Sequence, residues 1–322
     1  LERVSFTRLS GVSGWEYLVL ALAVANVSTA SILVRLAGVH GFAAATWRLV
    51  LSTILTAAIL VAAYAVKKHR KPVLPGGVDL LLVAASGVAL ALHFDLWMAS
   101  LFHMSVAMSV TVVDSYPAVL AIVGFRLFKE KYTPLQLLGA VIAMVGVAGI
   151  AFYSSRGASA PPGGDPIKGF LLAFAGMLAV AAYFSIGKGL RSKYSTLEYT
   201  LPVYGFAAIV SLLLTTLVVR APLTGYTAET YLYLILLALL PMLGGHTLIN
   251  LLLRRLSLLA ATVPILGEPV GAAALAWILL GEKVSTLEAL LMVVVLAGIG
   301  LVLYEENRVK KEIKQGLASE GP

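Results

Sequence analysis

Residues 115–131 read SYPAVLAIVGFRLFKEK, and residues 267–283 read GEPVGAAALAWILLGEK. In both, a proline is followed 13 residues later by Glu-Lys, and the two stretches lie 152 positions apart. The same offset holds on either side. Ser105, Pro117, Ala121, Leu127, Glu130, Lys131, Leu135, Leu138, Val141 and Gly146 meet identical residues at Ser257, Pro269, Ala273, Leu279, Glu282, Lys283, Leu287, Leu290, Val293 and Gly298, with no gap. Apolar composition alone produces some matches. A proline, a Glu-Lys pair and a hydroxyl cap in fixed order are harder to obtain by chance.

What repeats is apolar. The 322 residues are 60% hydrophobic and 12% charged, with a mean hydropathy of +0.94. A soluble domain carries about a quarter charged residues, so two ordinary soluble domains are excluded. A bilayer span needs about 20 apolar residues. Ten such runs are present, at 15–37, 41–66, 78–102, 105–127, 133–153, 166–188, 196–219, 229–253, 258–280 and 286–304. The first follows a basic start, as in a signal peptide, but the run from Trp15 to Leu36 is too long for a signal core and reads as a span. Thr133-Pro134 and Asp165-Pro166 put a capping residue before a first-turn proline, and Ser105, Ser257 and Ser285 are placed to cap the starts of spans 4, 9 and 10. The expected fold is all-α and membrane-integral, with ten transmembrane helices. The first repeat is 1–153, a linker occupies 154–165, the second repeat is 166–304, and 305–322 is a basic tail.

Five spans per copy is an odd number, so the second copy enters the membrane from the opposite side. Inverted five-helix repeats mark secondary transporters with a site at the repeat interface near the midplane. The loop charges agree. With the N-terminus inside, 18 of the 24 Lys and Arg fall in inner loops and tails, five fall outside, and Arg48 lies within a span. That bias puts both termini in the cytoplasm of a cell membrane. It also explains the net charge of +8 without a nucleic-acid partner.

Polar residues at membrane depth are the candidate site. At about 1.5 Å rise per residue, Arg48, His93, Asp95 and Asp114 share one layer about 10–15 Å below the outer ends of their spans. Glu268 lies about 15 Å into the ninth. His246 and Asn250 are one turn apart on the eighth, and so share a face. Arg48 either pairs with Asp95 or Asp114 or binds an anion. Asp114 and Glu268 adjoin Pro117 and Pro269 and read as pathway acids. Each histidine is either satisfied by a backbone carbonyl or faces the pathway. Pro117, Pro264, Gly267 and Pro269 interrupt helices and free carbonyls. Trp97, Tyr116, Tyr183, Tyr204 and Trp277 either line a cavity or pack. Gly146, Gly149, Gly298 and Gly300 suit close helix packing. Glu130-Lys131 and Glu282-Lys283 read as turn and capping residues.

Four segments carry a family resemblance: Trp47-Arg48 after Gly41-Phe42, LHFDLWMASL from Leu92 to Leu101, GHTLIN from Gly245 to Asn250, and GEPVGAAALAWILLGEKVS from Gly267 to Ser285. They resemble tandem EamA domains of the drug/metabolite transporter superfamily over nearly the whole chain. The resemblance implies two inverted five-helix halves around a central cavity, and transport of amino acids, sugars, nucleotides or drugs, often outward. Asp95 and Asp114 depart from the pattern, and no glutamate stands in the middle of the first span.

Other classes lack their signatures. The one GxSG string, Gly11-Val12-Ser13-Gly14, precedes the first span; no HExxH, aspartate-rich prenyl-binding run or GxxxxGK[ST] is present, and nothing resembles a selectivity filter. The absence of cysteine excludes a disulfide scaffold, a thiolate metal site and a cysteine nucleophile. The expectation is a non-enzymatic secondary carrier, an exporter of a small, amino acid-like metabolite, with a channel-like facilitator or intramembrane enzyme as the alternative. Its partners are the solute, the lipid bilayer and protons or cations. It needs no cofactor or metal, and is a monomer or weak homodimer. Single cysteines introduced at Ser159 and Thr227 should label from outside, and at His69 and Ser192 from inside. Reversed labelling at any two of these positions would defeat the inverted-repeat reading.

Overall fold

The structure, a computed structural model, describes residues 14–66, 72–155, 163–280 and 285–319. Ten of its helices are long and apolar enough to cross a membrane. They are α1 (Trp15–Ala37), α2 (Gly41–Val66), α3 (Val78–Ser100), α4 (Val106–Leu127), α5 (Pro134–Tyr153), α6 (Pro166–Leu190), α7 (Thr196–Val219), α8 (Ala228–Leu252), α9 (Leu258–Leu275) and α10 (Thr286–Ile313). The described residues contain no strand. In lipid, a helix satisfies its own backbone and an open strand does not. The protein is thus a multi-pass membrane protein of two inverted five-helix repeats.

Helix starts follow the capping chemistry. Ser105 accepts from the Met108 N–H, Ser257 from Ala260 and Asp165 from Ile167 and Lys168, with Pro166 in the first turn. Ser285 and Glu288 exchange backbone bonds as a capping box. One boundary differs from expectation. The last helix does not end at 304 but continues to Ser319, so 305–319 is helix rather than tail. Its first turn beyond the apolar run is held by partners: Glu305 pairs with Arg308 at 2.8 Å, and Glu306 with Lys310 at 3.3 Å.

Helices alternate direction, so the loops after α2, α4, α6 and α8 share one end, called here the basic end. There Glu130 is no simple turn residue. Its carboxylate accepts from the Leu258 N–H at the start of α9 (2.9 Å) and from Tyr132 (2.6 Å), and pairs with Lys188 of α6 (3.1 Å). Burial, then the Glu130 charge, push the Tyr132 phenol well above its ordinary range, which keeps it a donor. Glu306 accepts from the Ser257 N–H and hydroxyl and from Gln136. Arg191, counted as an ordinary loop cation in the sequence, is buried and donates to the carbonyls of Asn250 and Tyr194 and to Thr196. Burial brings it down to about 10, so it stays charged at neutral pH. Glu282 and Lys283 lie outside the described residues.

The α5–α10 pair is built on small residues. A Cβ on Gly298 would lie 2.5 Å from the Ala143 nitrogen and 2.6 Å from the Gly139 carbonyl oxygen, both backbone atoms that cannot step aside. Gly300, one turn-face away, has nothing within 4 Å. Gly298→Ala should therefore cost about 1–3 kcal/mol through overpacking. Gly300→Ala should leave stability unchanged or raise it by about 0.5–1 kcal/mol. Thermal unfolding in detergent checks this; equal effects at the two positions would contradict the packing.

Candidate functional site

Three spans are interrupted beside one cavity. α1 breaks at Ser28-Thr29, between helices Gly14–Val27 and Ala30–Ala37. α4 breaks at Asp114-Ser115, with Pro117 in the first turn of its second half, Tyr116–Leu127. α9 narrows to a 3-10 turn over Val263–Gly267, which contains Pro264, and Pro269 opens the helix Glu268–Leu280 that follows. A proline lacks an N–H and clashes with the carbonyl four residues earlier, so the continuous ladder fails there. α8 carries a wide-turn segment, Ala238–Thr247, around Pro241. α7 continues as α-helix through Pro202.

The interruptions surround a narrow cavity. The α1 break contributes Val27 and Ala30; the α4 break, Val113, Asp114 and Tyr116; the α9 turn, Ile265 and Glu268. Continuous α2 adds Arg48, α3 adds His93 and Trp97, and the wide turn of α8 adds His246. Both repeats therefore supply ionisable groups to one space.

Arg48 is 1% exposed, and none of its three guanidinium nitrogens has a hydrogen-bond partner. Among the described residues no carboxylate lies within ion-pair distance of it. The guanidinium instead sits over the Phe94 ring, 4.0 Å from its centroid. The expected pair with Asp95 or Asp114 is thus corrected. Asp95 and His93 are two residues apart on α3, so their side chains leave on different faces. Asp95 points away from the cavity, with Oδ1 2.7 Å from Ser211 Oγ. Asp114 does line the cavity but makes no ion pair with Arg48.

Other groups in the cavity are also unpaired. Asp114 Oδ2, Glu268 Oε1, Trp97 Nε1 and His246 Nδ1 are buried without partners. His93 Nδ1 lies 3.1 Å from the Gly176 carbonyl oxygen, as the carbonyl-satisfied reading expects. A carbonyl only accepts, so in the neutral ring Nδ1 carries the hydrogen and Nε2 is left as an acceptor. An aromatic wall holds these groups. His93 stacks on Trp97 with an interplanar angle of 6°, His246 stacks on Phe184 at 6°, and Tyr116 stacks on Phe184 at 24°.

Tyr183, Tyr204 and Asn250 do not reach the cavity. They form a polar cluster beside it, in which Asn250 Oδ1 alone is left without a partner. Asn250 Nδ2 donates to Tyr183 and to the His246 carbonyl, and Tyr204 bonds Thr247 at 2.8 Å. The side chain of Trp277 lies outside the described residues. Sequence reasoning did not find Val27, Ala30, Val113 and Ile265. Their only signal was position next to a break. Among the described residues no group of three or more His, Asp or Glu could hold a metal.

A buried cation with no partner within ion-pair distance bears a desolvation cost that a more distant acid offsets only in part. Arg48→Met keeps the volume and removes the charge. In solute-free detergent it should unfold at or above the wild-type temperature, with no rescue by adding Asp95→Asn or Asp114→Asn. A large loss recovered by Asp114→Asn would restore the ion-pair reading.

The sequence matches the model of the EamA-like transporter family twice, over residues 14–152 and 167–304. A comparison with curated proteins returns no match. A solved structure described as "Crystal structure of protein" is similar in fold, with a TM-score of 0.73 and 17% identity over 92% of this chain and 98% of that one. Two matched domains, five spans in each and a cavity at their interface agree: the chain belongs to the EamA-like transporter family.

Proposed function

We propose that the protein is a secondary-active exporter of a small zwitterionic, amino acid-like solute, working by alternating access in the cell membrane with both termini in the cytoplasm. One observation carries this reading. The cavity presents three unpaired guanidinium nitrogens on Arg48 together with unpaired carboxylate oxygens on Asp114 and Glu268. A charge left unpaired within a span costs about 2.5–3.5 kcal/mol on the insertion scale. Such groups are maintained where a ligand completes them. An anionic group on the solute meets Arg48, aided by the Trp97 N–H. A cationic group meets Asp114 and Glu268. Both ends of a zwitterion are then satisfied in one site.

The basic-loop bias supports the orientation, because the inner positive charge follows from the sequence count. Glu268 is the proposed coupling acid. It starts a half-helix at the repeat interface, beside the Val263–Gly267 turn, where a change of helix geometry alters its exposure. No nucleotide-binding motif is present, so the driving force comes from a gradient.

A melting screen with amino acids, simple amines, simple carboxylates and sugars tests the reading. A ligand at 100 times its Kd stabilises by about 2.7 kcal/mol. Zwitterions should raise the melting temperature more than either half alone, and Arg48→Met should abolish the shift. In proteoliposomes, Glu268→Gln should fold, exchange solute down its gradient and lose pH-driven accumulation. Asp114→Asn should do the same to a smaller degree. Accumulation in Glu268→Gln with an unchanged pH profile would reduce that residue to a packing role.

A further inference from the structure

Asp95 is a buried acid in the middle of a span that the cavity does not use. It is fully buried on α3, and its Oδ2 has no partner. Its Oδ1 begins a chain of oxygens across the repeat boundary. Ser211 Oγ of α7 lies 2.7 Å from Oδ1 and 2.9 Å from Thr46 Oγ1 of α2. Thr46 Oγ1 lies 2.8 Å from Thr215 Oγ1 of α7, which lies 3.1 Å from the Phe42 carbonyl oxygen at the start of α2.

These are four hydrogen bonds joined end to end, and each needs one hydrogen. A hydroxyl supplies one and a carbonyl none. With Asp95 ionised, Ser211 donates to Asp95, Thr46 to Ser211 and Thr215 to Thr46, so nothing is left for the Phe42 carbonyl. Three hydrogens serve four contacts. With a proton on Oδ1 the count closes: Asp95 donates to Ser211, Ser211 to Thr46, Thr46 to Thr215 and Thr215 to Phe42. The bare Oδ2 is then a neutral carbonyl, which costs far less to bury unpaired than part of a carboxylate.

We propose that Asp95 is a proton-binding site separate from the solute cavity, holding its proton in this conformation and exchanging it along Ser211, Thr46 and Thr215 toward the end of the bundle where α2 begins. Release is a concerted shift. Asp95 passes its proton to Ser211, each hydroxyl passes its own to the next, and Thr215, fully buried in this conformation, delivers one to water when the α2 end of the repeat boundary opens. Each hydroxyl keeps one hydrogen, and Asp95 becomes a carboxylate. The chain joins α2 and α3 of the first repeat to α7 of the second, so the charge state of Asp95 is tied to how the repeats sit against each other.

No charged group competes for Asp95. On its own helix stand Asp79 and His93; on α2, Arg48 and Tyr64; on α6, Lys168, Tyr183 and Lys188; on α7, Glu198, Tyr199 and Tyr204; and at the α4 break, Asp114 and Tyr116. None of these lies within hydrogen-bond or ion-pair distance of it. The proposal needs neither Arg48 nor Glu268, so it stands or falls apart from the solute reading.

The chain has four aspartates: Asp79, Asp95, Asp114 and Asp165. Isotope-edited infrared spectroscopy with carboxyl-labelled aspartate, on the Asp114→Asn protein in bilayers, isolates Asp95 as the one aspartate in the membrane interior. A protonated-carboxyl band is expected near neutral pH, and it should vanish in Asp95→Asn/Asp114→Asn. Should that double variant fail to fold, Ser211→Ala removes the acceptor and must shift the band. Thr46→Val should keep the band and slow its hydrogen–deuterium exchange. An absent band near neutral pH, or one that Ser211→Ala does not move, overturns the site. Exchange unchanged by both Thr46→Val and Thr215→Val overturns the path.

Discussion

A hydrocarbon interior offers no partner to a free N–H or C=O, so a spanning helix is interrupted only where protein or a polar cavity covers the gap. That constraint organises this molecule. α1, α4 and α9 are broken at Ser28-Thr29, Asp114-Ser115 and Val263–Gly267, and residues at each break line the same cavity. Prolines at 117, 264 and 269 make continuous helix unfavourable there. The inverted repeat puts breaks of the fourth and ninth spans opposite each other.

Satisfied and unsatisfied charges separate the parts that hold the fold from the part that acts. At the basic end each buried acid is saturated. Glu130 has Lys188, Tyr132 and the Leu258 N–H, and Glu306 has Lys310, Gln136 and Ser257. In the cavity, Arg48, Asp114, Glu268 and His246 keep free atoms. Stability alone would select the first arrangement everywhere, since one missing partner of a buried group costs about 1–3 kcal/mol. On the proposed reading, a ligand that comes and goes accounts for the free atoms in the middle.

The fold was legible in the sequence because hydropathy, capping and an odd repeat all depend on local pattern. Spans 15–37 and 41–66 and the caps at Ser105, Ser257 and Asp165 rest on neighbours within a few residues. The site was legible in part. Depth along a helix follows from counting, so Arg48, His93 and Asp114 were placed in one layer, with Glu268 at a similar depth. Which neighbour a helix face meets does not follow from counting, even on the continuous α2 and α3. Asp95 therefore faces Ser211 rather than Arg48, and Tyr183, Tyr204 and Asn250 close on one another. The burial of Arg191 and the capping of α9 by Glu130 depend on contacts across helices, which local pattern does not carry.

The central claim is that one cavity at the repeat interface opens alternately to the two faces of the membrane. The chain has no cysteine, and Ala30 lines the cavity at the α1 break. Ala30→Cys in oriented vesicles can be challenged with a membrane-impermeant thiol reagent from each side, with and without a stabilising solute. The account predicts labelling from both sides and protection by solute on both. Labelling from one side under every condition, or from both with no protection, would contradict it.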